Sequence, residues 1–209
     1  MPIIVAAVLF AAGVISKHDL ATPGAALGLQ VFAYALALIV FAFLPRLAQR
    51  SWSDLGLRVP HAREIAWGFL GALVMLIVVD GVAGLEEHLF HGKITEQAID
   101  LLKATKGTLL TTLFVIFACV VAPFFEELQF RGFLYNALRR YVPAGWAAAI
   151  SSLLFGAAHL SPLAVVPLAC GGFVLAVLYE RTRSLVATTI AHGLFNTAGI
   201  IALLVFHQQ

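Results

Sequence analysis

The side chains able to do chemistry in this chain are Glu126, Glu127 and Arg131, then His159, then His192 with Asn196. They form three short polar islands, each in or beside a stretch apolar enough to span a bilayer. An ionisable group at membrane depth costs about 2.5–3.5 kcal/mol on insertion scales. Two carboxylates, a guanidinium and two imidazoles at that depth therefore point to a functional site. The chemistry open to such a set is acid–base catalysis: a carboxylate or imidazole takes a proton from water, and nearby donors hold the charge that develops.

The first island, Pro123-Phe-Phe-Glu-Glu-Leu-Gln-Phe-Arg131, carries the pattern E-E-x-x-x-R. Residues four apart share a helical face, and an acid N-terminal to a base is the better orientation, so Glu127 is expected to pair with Arg131. Glu126 points about 100° away, and no basic residue lies one helical turn from it in the sequence. It is the candidate general base. The plainer alternative places both acids at a solvated helix end.

His159 closes the run Phe155-Gly-Ala-Ala-His159. A lone histidine in such a place is commonly a packing residue. Depth argues for more: the connection ahead of this helix is centred near residue 142, with Glu126 about 16 residues before it and His159 about 17 after. At 1.5 Å per residue the two lie level in an antiparallel hairpin. His192 and Asn196 are four apart on one face, with Gly193 leaving room for close approach. Their donors can converge on an oxyanion, or they can tie helices together. The pair by itself leaves both roles open.

The elements that must position these groups are membrane helices. The 209 residues are 61% hydrophobic and 11% charged, where a soluble domain has about 25% charged residues. The formal charge of +2 gives no basis for nucleic-acid binding. A span needs about 20 apolar residues. Seven candidates are present: 3–16 (short), 24–44, 65–85, 108–125 or longer, 146–160, 163–179 and 185–206; a split span would make eight. The fold class is thus all-α, a polytopic transmembrane bundle forming one domain over 1–209. Residues 1–107 supply the N-terminal spans, and the candidate site sits in a four-helix core in the C-terminal half, residues 108–206. The N-terminal stretch Met1 to Ser16 has no Lys or Arg before its apolar core and no small-x-small cleavage signal, so it reads as a first span.

Arginines orient the bundle. Arg46, Arg50, Arg58 and Arg63, then Arg131, Arg139 and Arg140, then Arg181 and Arg183 fall on one side of a seven-span chain. Lys17, Lys93, Lys103 and Lys106 lie opposite, diluted by Glu86, Glu87, Glu96 and Asp100. The positive-inside rule puts the N-terminus in the cytoplasm. Trp52, Leu55, Leu57 and Trp67, interleaved with arginines, suit an interfacial stretch on that side. Cys119 and Cys170 lie in apolar runs and read as packing residues. The metal-like run Glu86-Glu87-His88-Leu89-Phe90-His91 reads as a solvated loop, and Asp80 stays outside the site.

Together E-E-x-x-x-R, F-x-x-x-H and H-x-x-x-N, in this order and in successive spans, resemble the CPBP intramembrane proteases. That is the family of the CAAX prenyl endopeptidases and the bacteriocin-processing or self-immunity proteins, also called Abi. The run Tyr179-Glu-Arg-Thr-Arg-Ser-Leu-Val-Ala-Thr-Thr-Ile-Ala-His192 resembles the family's approach to its last motif. The likeness covers about residues 108–206.

The resemblance implies an intramembrane endopeptidase acting on a membrane-anchored peptide or protein, in the plasma membrane of a prokaryote. It implies that Glu126 with His159 activates a water, that His192 and Asn196 stabilise the tetrahedral oxyanion, and that Glu127 and Arg131 lock the site. Phe155 reads as packing. A metal-free reaction is the preferred expectation, because the chain lacks H-E-x-x-H and a Glu–His pair can activate water itself. The zinc alternative would use Glu126, His159 and His192, since catalytic zinc takes three protein ligands and a water. A rival reading is a non-catalytic membrane scaffold or immunity protein of the same fold. A proton-relaying transporter is a third, but the inverted repeats that would favour it are not seen.

Overall fold

The computed structural model describes Gly28, Phe32 and residues 51–90, 107–159 and 161–206. Apart from Gly28 and Phe32, the spans expected at 3–16 and 24–44 lie outside these residues. The described part is helical with no strand: α1 (Ala62–Phe90), α2 (Thr108–Leu138), α3 (Ala144–Ala157), α4 (Val165–Thr182) and α5 (Leu185–Phe206). Helices α1, α2, α4 and α5 are long and apolar enough to cross a membrane. The expected span at 146–160 is realised as α3, whose 14 residues reach about 21 Å at 1.5 Å per residue, short of a full bilayer core. Leu73, Ile77, Leu153 and Ile201 are among the large apolar side chains left exposed, as suits helices solvated by lipid.

α1 begins where Glu64, three residues past His61, turns back to accept from the His61 backbone N–H at 3.1 Å. This is the acid half of a capping box, and the same carboxylate pairs with Arg58. The helix runs to Phe90, so Glu86–Phe90 are helical. The solvated loop expected there is corrected: the apolar run ahead of these residues propagates the helix through them.

α2 is a continuous helix with two π-helical stretches, Phe117–Val121 and Leu128–Tyr135, on either side of Ala122–Glu127. Pro123 gives a physical reason for the first. Its ring has no N–H and crowds the carbonyl one turn before it, and a wider turn accommodates this.

α1 packs on α4 and α5, α3 packs on α4 and on the second half of α2, and α5 lies against the first half of α2. Close approaches rest on small residues: a Cβ at Gly156 would lie 2.3 Å from the Val165 carbonyl oxygen. At one end of the bundle Leu55, Tyr135, Tyr179 and Leu185 share a buried cluster, with Trp52 and Leu57 against it. The segment 51–57 therefore folds onto the helix ends as a turn, where the sequence suggested an interfacial stretch alone. Gly56, at φ +85°, closes it and accepts from Leu185 N–H at 2.9 Å. The same end gathers Glu180, which accepts from Tyr135 and pairs with Arg139 and Arg183. The three arginine-bearing segments thus meet on one side.

Candidate active site

The three islands converge. Arg131 and Glu127 are fully buried and paired through Nη1 and Oε1 at 2.8 Å, as their four-residue spacing leads one to expect. The guanidinium also donates from Nη2 to the Gly172 carbonyl of α4 at 2.8 Å. Its carbon stands 4.8 Å over the Phe155 ring, a cation–π distance. A buried charge is tolerated when it is paired; Arg131 uses its two terminal nitrogens on one carboxylate and one carbonyl and lays its plane near one aromatic face, while its Nε and the Glu127 Oε2 stay buried without a hydrogen bond among the described residues.

His192, buried on α5, places Nδ1 3.0 Å from the same Oε1 of Glu127. A carboxylate accepts, so Nδ1 carries the hydrogen and Nε2 is left to face the site. Nε2 stands 3.8 Å from Glu126 Oε2. The two acids thus differ in surroundings. The Glu127 side chain is wholly enclosed, whereas that of Glu126 is 20% exposed and is the one a water or substrate can reach.

His159, half-buried at the end of α3, donates from Nδ1 to the Phe155 carbonyl at 2.9 Å. Its Nε2 is likewise the nitrogen left for chemistry. The Phe155 ring touches the His159 ring (5.0 Å between centroids), the His192 ring (5.6 Å) and that of Phe130 (5.2 Å). Phe155 does pack, as read from sequence, but it is also the contact that gathers Arg131, His159 and His192. The hairpin arithmetic sets only the depth of His159. The structure puts His192 Nε2 against Glu126.

Asn196 donates its amide to the Ala118 carbonyl at 2.9 Å, inside the first π-helical stretch. Pro123 supplies no N–H to the carbonyls one turn before it, so the amide of α5 takes one of them. Gly193 lies against the next: a Cβ there would sit 2.5 Å from Cys119 O. The helix-tying role open to Asn196 is therefore present, with one amide hydrogen so engaged. Gly193→Ala forces backbone against backbone and should destabilise the protein by about 1–3 kcal/mol. A lowered unfolding midpoint in detergent checks this, and an unchanged midpoint contradicts the tight α2–α5 seam.

Among the described residues no three of His, Cys, Asp and Glu form a group able to hold a metal. Gly172, whose carbonyl serves Arg131, carried no sequence signal, and neither did Asn136, which donates to the carbonyls of Arg131 and Gly132. Asp80 is exposed on α1.

The model of the type II CAAX prenyl endopeptidase Rce1-like family matches residues 108–198. The "Putative membrane peptidase YdiL" of Bacillus subtilis (strain 168) is 26% identical over 177 residues, covering 82% of this chain and 70% of that protein. The "Membrane-embedded CAAX protease MroQ" of Staphylococcus aureus (strain USA300) is 27% identical over 154 residues, covering 68% of this chain and 60% of that protein. No solved structure matches. Over residues 108–198 the chain is similar to the Rce1-like family, and it is an integral membrane protein. What the likenesses share is a membrane protease.

Proposed function

We propose that this protein is an intramembrane endopeptidase that hydrolyses a peptide bond in a membrane-anchored peptide or protein. The observation that carries the proposal is the accessible Glu126 carboxylate 3.8 Å from His192 Nε2, beside a fully buried Glu127–Arg131 pair. A water that reaches the exposed Glu126 carboxylate can give up a proton there.

In this mechanism Glu126 takes a proton from that water, and His159 Nε2 accepts the other hydrogen to orient it. The hydroxide oxygen bonds to the scissile carbonyl carbon, whose oxygen becomes the oxyanion. Glu127 holds His192 by Nδ1–H, so Nε2 becomes a donor once it receives the proton that Glu126 took. His192 and the second amide hydrogen of Asn196 then steady the oxyanion. The proton passes on to the amine nitrogen as the C–N bond breaks, giving a free carboxyl and a free amine. Arg131 keeps Glu127 in place throughout.

The proposed reaction uses no metal, and the substrate need not carry a lipid. The end that gathers Arg58, Arg139 and Arg183 faces the cytoplasm of a prokaryotic cell by the positive-inside rule, with the N-terminus on that side. His159→Ala should lower cleavage of an anchored reporter peptide in proteoliposomes by about 10²-fold, and a chelator should leave the wild-type rate unchanged. Full cleavage by His159→Ala would remove that residue from the mechanism. Loss on chelation, reversed by zinc, would replace the metal-free route.

A further inference from the structure

The second π-helical stretch, Leu128–Tyr135, carries Arg131 and ends at Asn136. A π stretch contains a residue more than the α-helix would place there. Its relaxation to α would turn one side against the other by roughly one residue step, about 100°. Glu126 and Glu127 lie before the stretch and the arginine lies within it. Glu127 and Arg131, four apart, share a face in either geometry, but the wide turn sets the direction from which Arg131 reaches both Glu127 Oε1 and the Gly172 carbonyl, each at 2.8 Å.

Asn136 is built to hold that turn. Its side-chain amide donates to the Gly132 carbonyl at 2.9 Å and to the Arg131 carbonyl at 3.2 Å, one and the next carbonyl back along the stretch. It also donates to the Tyr179 hydroxyl at 2.7 Å, and that hydroxyl donates to the Leu55 carbonyl at 2.9 Å. One hydrogen is shared by the two carbonyls and the other goes to Tyr179. The Asn136 amide therefore touches the backbone of Arg131 itself and joins it to α4 and to the turn ahead of α1.

We infer that Asn136 is a positioning residue for the hydrolysis: by holding the π-helical carbonyls it sets the rotation of Arg131, and through Glu127 the placement of His192 against Glu126. This rests on the reaction proposed above. It makes the turn 51–57, reached through Tyr179, a part of the frame that fixes the site.

The test measures kcat and KM for a membrane-anchored reporter peptide, with the full-length protein in proteoliposomes. The variants are Asn136→Ala, Asn136→Ser, Tyr179→Phe and the double Asn136→Ala/Arg131→Ala, with Glu126→Gln alongside. A misplaced catalytic group costs up to about 10²-fold, so Asn136→Ala should lower kcat roughly ten- to a hundredfold with KM unchanged. Asn136→Ser, whose hydroxyl can still donate one turn back, should recover part of that loss. Tyr179→Phe, which spares both carbonyl bonds, should lose less than Asn136→Ala. The double variant should be no slower than Arg131→Ala alone, because the two act in series.

The inference is overturned by an unchanged kcat in Asn136→Ala, by losses that add to those of Arg131→Ala, or by a Tyr179→Phe loss as large as that of Asn136→Ala. Should Asn136→Ala fail to fold, the Ser and Phe variants decide on the same kcat order. Full activity in Glu126→Gln would instead sink the reaction itself and is told apart by that variant alone.

Discussion

Glu126→Gln should abolish peptide cleavage, with a rate loss of about 10²–10⁴-fold, while leaving the fold intact. The substitution keeps shape and volume and removes the ability to take a proton. Glu126 is 20% exposed and stands 3.8 Å from His192, so the amide leaves no buried charge stranded. Circular dichroism and the unfolding midpoint in detergent should match the wild type. An equal rate in Glu126→Gln would remove this carboxylate from the reaction, and no cleavage by the wild type would return the protein to the scaffold or immunity reading.

Arg131→Leu should act on stability as well as on rate. Its guanidinium compensates the enclosed Glu127 carboxylate, satisfies the Gly172 carbonyl and covers the Phe155 ring. Removing one partner of a buried pair leaves an uncompensated charge and costs about 3–5 kcal/mol. The double variant Glu127→Leu/Arg131→Leu removes both charges and should regain much of that stability, since apolar replacement of a buried pair is commonly neutral or better. It should remain inactive, because His192 Nδ1 then lacks the acceptor that orients it. Unfolding in detergent reads the first effect, and reporter cleavage reads the second. A stable Arg131→Leu, or an active double variant, would contradict this division of roles.

Much of this site is legible in the residues themselves. The spacing of Glu127 and Arg131 is one helical turn, and a local contact of that kind follows from helix geometry alone. The runs that become α2, α4 and α5 announce themselves by length and apolarity. Rotation about a helix axis is another matter. Counting residues from a connection sets the height of His159 but not which way an imidazole turns about its helix axis.

Backbone partners are hidden for a similar reason. Pro123 is visible, but the carbonyl it releases is met by Asn196, 78 residues away, and the Arg131 acceptor on Gly172 belongs to no motif. By composition the charged run 86–90 resembles a loop, but the helix already under way through α1 carries through it. Apart from Gly28 and Phe32, the first two expected spans lie outside the described residues.

The most direct measurement is mass spectrometry of an anchored peptide incubated with the reconstituted protein in ¹⁸O-water, wild type beside Glu126→Gln. The wild type should yield two fragments from one peptide bond, with solvent oxygen in the new carboxyl group, and the variant should leave the peptide whole. The same fragments in the same yield from Glu126→Gln would contradict a hydrolysis that depends on this carboxylate.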